Sequence, residues 1–204
     1  MKINLPNQIT IARLFVAIIF FVCLAQYETR SPSAKWLLDV SAGLFFIAAM
    51  SDIVDGYLAR KHNQVTSFGR VIDPFVDKIL VIGAYIFLAG DGFLDVNQNR
   101  TSDVSGWMVV VILGRELLVT SLRGATEADG QSFAANVYGK MKMLLQSTTV
   151  IWVLLTVAHP DWIPICTTLR PYLVYLTVIV TFLSAIPYLR MARGILSEMS
   201  VPEK

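Results

Sequence analysis

Six stretches of about 20 mostly apolar residues divide this chain, at about 9–27, 36–58, 71–90, 105–123, 139–158 and 171–190. A helix of that length is what the hydrocarbon core of a bilayer requires, because each backbone polar group there must find its partner inside the protein. Composition agrees: 55% of the 204 residues are hydrophobic and 16% charged, and mean hydropathy is +0.59. A soluble domain carries about a quarter charged residues. The expectation is an all-α integral membrane protein of six transmembrane helices, with 1–204 as a single membrane domain. No nucleic acid is expected as a partner.

The first stretch follows a short basic flank, as a secretory leader would. No clear small-residue cleavage site follows it and five more apolar stretches do, so it reads as a retained helix. Six crossings place both termini on one side. Twelve of the 17 Lys and Arg, from Lys2 to Lys204, fall in segments on that side, and only Arg30, Lys35, Arg100 and Arg170 on the other. Positive charge marks cytoplasmic segments, so both termini are expected to be cytoplasmic in a multi-pass protein of the inner membrane. The polar 91–104 segment, DGFLDVNQNRTSDV, then faces outward.

Residues 51–77, SDIVDGYLARKHNQVTSFGRVIDPFVD, place Asp52, Asp55, Asp73 and Asp77 at the cytoplasmic turn between the second and third spans. Asp52, Asp55 and Ala59 share one helix face by their spacing, and Asp73 and Asp77 are one turn apart. Pro74 is expected in the first turn of the third span, where its missing N–H has no role, and Gly69 in a flexible connection. If these spans form a hairpin, the two carboxylate pairs face each other. Carboxylates are costly in a bilayer, and four together need a compensating cation. The cations near in sequence are Arg60, Lys61, Arg70 and Lys78. Oxygen-only donors suit hard divalent ions such as Mg²⁺, Mn²⁺ or Ca²⁺, not Zn²⁺. Four aspartates from two helices can hold two metals about 4 Å apart, an arrangement suited to in-line phosphoryl displacement.

The spacing Asp-x₂-Asp-Gly-x₂-Ala-Arg-x₈-Gly-x₃-Asp-x₃-Asp, formed by Asp52, Asp55, Gly56, Ala59, Arg60, Gly69, Asp73 and Asp77, resembles the signature of the CDP-alcohol phosphatidyltransferase family at every specified place. By chance such a match arises on the order of once in a hundred million chains of this size. NLPNQITIAR at 4–13, GRELLVTSLR at 114–123 and YGKMKMLLQ at 138–146 are similar to bacterial members that use a glycerol phosphate acceptor. The resemblance implies a six-helix membrane fold, usually a homodimer, with the active site at the cytoplasmic membrane interface. It also implies that the four aspartates bind two divalent metals, Mg²⁺ or Mn²⁺, and that Asp77 is the general base. Gly56, Ala59 and Gly69 would let CDP-diacylglycerol approach the helices, since small residues permit close contact. Arg60 would meet its diphosphate or hold the nucleotide pocket.

The acceptor is expected to carry its own phosphate. Arg115 lies inside the fourth span, where a lone guanidinium is costly, and Glu116, adjacent in sequence, points about 100° away and reads as a poor partner. Arg123 lies two turns on from Arg115, and Lys140 begins the fifth span. Arg115, Arg123 and Lys140 converging would make a phosphate site; alternatively, Arg115 pairs with a carboxylate from another span. The resemblance favours sn-glycerol 3-phosphate. Other acceptors in the family are inositol phosphate, serine and phosphatidylglycerol; a divalent-metal transporter is the alternative of another class. His62 reads as a solvated loop residue and His159 as an outer-loop residue. The Trp residues read as interfacial anchors, Cys23 and Cys166 as inert, and 124–137 as a connector.

Overall fold

The computed structural model describes residues 5–31, 34–61, 67–128, 137–162 and 164–190; within these, the side chains of 5–7, 53–61, 67–71, 73, 125–128, 137, 138 and 140 are not described. Six α-helices carry the fold: α1 (Leu5–Gln26), α2 (Lys35–Lys61), α3 (Ser67–Leu88), α4 (Gly106–Ala128), α5 (Val137–Ala158) and α6 (Pro164–Leu183). Among the described residues there is no β-strand, only an isolated bridge between Leu94 and Arg100. Each helix has 20 or more residues, and so runs about 30 Å or more.

Three helices are long and apolar enough to cross a membrane by length and composition: Gln8–Gln26, Met141–Ala158 and Pro164–Arg190. The others carry more charge, most of it at the ends where the site lies. Apolar side chains point outward, as along α1 at Phe15, Ile18, Ile19 and Val22 and along α6 at Leu176, Ile179, Phe182 and Leu183. Water would penalise such continuous apolar faces, which suit a lipid surrounding. This is a membrane protein.

The helices alternate in direction and close into a ring. α1 packs on α2, α2 on α5, α5 on α6, α6 on α4, α4 on α3, and α3 back on α1. The ring encloses a core in which Phe20, Phe45, Tyr85, Leu88, Ile112 and Leu154 are all fully buried. Gly83 of α3 permits close approach to α1, since a Cβ there would stand 2.5 Å from the Phe21 ring. α5 and α6 are joined by polar contacts inside the bundle, Thr149 with Thr177 at 2.7 Å and Gln146 Nε2 donating to Thr181 Oγ1 at 3.0 Å. Such bonds link helices where water does not compete.

The ring order adds a third helix to the expected pairing of α2 with α3: these two touch each other, and α1 packs on both. α3 also begins at Ser67, which puts Gly69 inside the helix and Pro74 eight residues in rather than in the first turn. A proline there removes one intrahelical bond. α6 begins at Pro164, seven residues before the expected start, with Pro171 in its interior. α4 runs on to Ala128, into what reads as a connector, while 129–136 lies outside the described residues.

The end opposite the aspartates is tied by a compact loop. Thr29 N and Oγ1 both donate to the Gly92 carbonyl, at 2.8 and 3.0 Å, and Ser102 Oγ donates to the Leu88 carbonyl at 2.6 Å. His159 Nε2 lies 2.8 Å from Asp39 Oδ1 and its ring stacks on Trp162. Trp36, Trp107 and Trp162 all sit exposed at this end, as interfacial anchors do.

Candidate active site

On α1 the buried residues Thr10, Arg13, Ala17, Phe20 and Leu24 recur at spacings of three and four, the stripe of a helix facing a core. Arg13 is therefore a core residue, and its side chain is 0% exposed. Its Nη1 donates to Asp52 Oδ1 of α2 at 2.8 Å and to Asp77 Oδ1 of α3 at 2.7 Å. Each aspartate is about one-quarter exposed. The carboxylates are thus held from inside by a cation and open on the outside.

Asp52 and Asp77 come from opposite ends of the signature, and α1 brings them to one nitrogen. Asp55 follows Asp52 by three residues on α2, and Asp73 precedes Asp77 by four on α3, so backbone register puts each on its partner's face. The side chains of Asp55, Asp73, Gly56, Ala59, Arg60, Gly69 and Lys140 lie outside what the structure describes. So does His62. Among the described residues no group of three or more acidic, His or Cys side chains gathers. The donor chemistry nevertheless suits a hard divalent ion: two carboxylate oxygens from separate helices already close on a single cationic atom, with one side open.

Sequence reasoning counted Arg13 as a flanking charge and as the last residue of the NLPNQITIAR stretch, and gave it no role in the site. The signal that marks it is positional, because it occupies a place in the apolar stripe of α1 where a solvated cation does not belong.

A second polar cluster lies beside the first. Glu116 of α4 accepts from Lys142 Nζ of α5, and from Arg115 Nη1 at 3.3 Å. Arg115 Nε donates to Ser184 Oγ at 2.9 Å, and its guanidinium lies over the Tyr188 ring at 5.5 Å. All three charged residues are buried, none more than 8% exposed. The expectation that Glu116 is a poor partner for Arg115 is thereby corrected. Backbone directions 100° apart do not prevent two long side chains from bending to one point when Lys142 adds a second cation there.

A cavity of about 60 Å³ joins the clusters, lined by Asp77, Lys78, Glu116, Lys142 and Gln146 among others. That is room for about two water molecules. Of the expected phosphate-binding cations, Arg115 is buried against Glu116 and Ser184, and Arg123 stands two turns on, exposed. Lys140 is placed only as a backbone position at the start of α5.

Residues 3–183 match the model of the CDP-alcohol phosphatidyltransferase family. The CDP-diacylglycerol–glycerol-3-phosphate 3-phosphatidyltransferase of Bacillus subtilis is 39% identical over 158 residues, covering 74% of this chain and 77% of that protein. The protein of the same name from Rickettsia bellii is 40% identical over 143 residues, 70% of each chain. That of Haemophilus influenzae is 29% identical over 202 residues, 95% of this chain and 96% of its own. The chain belongs to the CDP-alcohol phosphatidyltransferase family.

Proposed function

From that membership we propose that this protein transfers the phosphatidyl group of CDP-diacylglycerol to sn-glycerol 3-phosphate, releasing CMP and giving phosphatidylglycerophosphate. The single observation that carries the chemistry is the convergence of Asp52 and Asp77 on one point from two helices. The shared name of the Bacillus, Rickettsia and Haemophilus relatives supports glycerol 3-phosphate as acceptor over inositol phosphate.

In this reading all six helices span the inner membrane as one domain and both termini are cytoplasmic. The aspartate end of the bundle meets the cytoplasm, where a lipid keeps its acyl chains in the bilayer and its diphosphate in water. Asp52, Asp55, Asp73 and Asp77 would hold two divalent metals, Mg²⁺ or Mn²⁺. Bound there, the metals would neutralise the diphosphate and stabilise CMP as it leaves. Gly56, Ala59 and Gly69 leave room for the nucleotide beside α2 and α3, and Arg60 meets the diphosphate or holds the nucleotide pocket. Asp77 takes the proton of the acceptor hydroxyl, whose oxygen attacks the β-phosphorus as the bond to CMP breaks. Arg115, Arg123 and Lys140 bind the acceptor phosphate. The protein works as a homodimer among membrane lipids.

The test is purified protein with CDP-diacylglycerol and a panel of acceptors, following CMP release. Release with glycerol 3-phosphate and not with inositol phosphate, serine or phosphatidylglycerol is expected. Release with inositol phosphate alone would keep the metal site and replace the acceptor; release with none would overturn the transferase reading.

A further inference from the structure

We propose that Arg13 is the resident counter-cation of the aspartate frame, holding Asp52 and Asp77 together when divalent metal is away and competing with metal for their oxygens when it arrives. The inference rests on the two-metal reading above. It goes beyond that reading because Arg13 stands outside the signature, 39 residues from Asp52 and 64 from Asp77.

Three observations carry it. The guanidinium side chain is fully buried, so it is committed to this place and not to solvent. One nitrogen, Nη1, reaches both carboxylates at 2.7–2.8 Å, within the range of charge-assisted bonds. Both carboxylates remain about one-quarter exposed, so an ion can reach them. Two carboxylates this close repel unless a cation stands between them. An arginine supplies that cation permanently, because its guanidinium does not lose its proton in proteins.

The same geometry sets a penalty on metal binding. An oxygen lone pair given to Nη1 is less available to a metal, and a positive charge beside the site repels another. Arg13 thereby assembles the frame and also weakens its hold on metal, which keeps bound metal exchangeable. A purely structural arginine would assemble the frame without this competition.

The experiment measures metal binding directly, on the full chain in detergent, by Mn²⁺ electron paramagnetic resonance and by melting temperature in chelator and in Mn²⁺. Arg13→Gln should bind Mn²⁺ about tenfold more tightly than wild type, as loss of a competing ligand predicts. It should melt lower in chelator and gain more from Mn²⁺. Arg13→Lys keeps the charge and should stay near wild type in Mn²⁺ affinity. Unchanged or weaker Mn²⁺ binding in Arg13→Gln, with wild type binding normally, would overturn the proposal and leave the metal reading standing. Absence of Mn²⁺ binding in wild type would remove both. If Arg13→Gln does not fold, wild type decides. The side-chain N–H resonances of Arg13, assigned by their loss in Arg13→Lys, should shift on saturation with Mg²⁺, and a constant spectrum would overturn the competition.

Discussion

Lys142 of α5 is ion-paired with Glu116 of α4, both almost fully buried, although the two helices hardly approach each other at the backbone. Both line the cavity beside Asp77, and Glu116 also accepts from Arg115. One carboxylate thus balances two cations. Breaking a buried pair by removing one partner typically costs about 3–5 kcal/mol, because the other charge is left without its counter-ion. Glu116→Gln should therefore lower stability by about that much. The combined Glu116→Gln, Lys142→Met change should cost less than Glu116→Gln alone. Thermal unfolding of wild type and the two variants in detergent checks the inequality.

Asp77 is expected to be the base that the acceptor hydroxyl meets. Asp77→Asn should reduce turnover about 10²–10⁴-fold while the protein stays folded and still binds nucleotide. Turnover within about tenfold of wild type is incompatible with that role. Steady-state CMP release alongside a nucleotide-binding measurement separates the two.

Metal removal is the next expectation. Four acidic residues at 52, 55, 73 and 77 leave the site with no chemistry for a diphosphate unless cations bind. Chelator should abolish CMP release, and Mg²⁺ or Mn²⁺ should restore it. Full activity of metal-free protein in excess chelator would end the two-metal reading.

For the acceptor, Arg115→Ala, Arg123→Ala and Lys140→Ala should each raise KM for glycerol 3-phosphate far more than for CDP-diacylglycerol. A charge-assisted contact is worth about 1.5–3 kcal/mol, or roughly ten- to hundredfold. Arg115 also bonds Ser184 and lies over Tyr188, so its variant should lose stability as well, and kinetics belong at a temperature where it is folded. Equal weakening of both substrates by all three would assign these cations to structure alone.

Gly92 tests the opposite end of the bundle. A Cβ there would stand 2.5 Å from the backbone carbonyl oxygen of Tyr27, which cannot turn aside as a side chain can. Gly92→Ala should lower stability by about 1–3 kcal/mol and loosen the Thr29–Gly92 contact. At a temperature where it stays folded, its CMP release should remain close to wild type, since Asp77 lies about three helical turns from that end of α3.

The sequence by itself determined the number of helices and singled out the four aspartates that are expected to hold metal. Long apolar stretches and helical spacing are local properties, and a local pattern survives without knowledge of neighbours; hence each of the six helices overlaps its apolar stretch, although α4 and α6 run beyond theirs. The signature aspartates are likewise close in sequence. What only the tertiary structure decided is which helix stands beside which. Periodicity reports that one face of α1 is buried, but it carries no record of what that face meets. The packing of α1 on both α2 and α3, the 39- and 64-residue separations that Arg13 spans, and the meeting of Glu116 with Lys142 are tertiary facts. Buried charges record that order most sharply, since each must find its counter-ion across helices, and the partner is fixed by packing rather than by spacing.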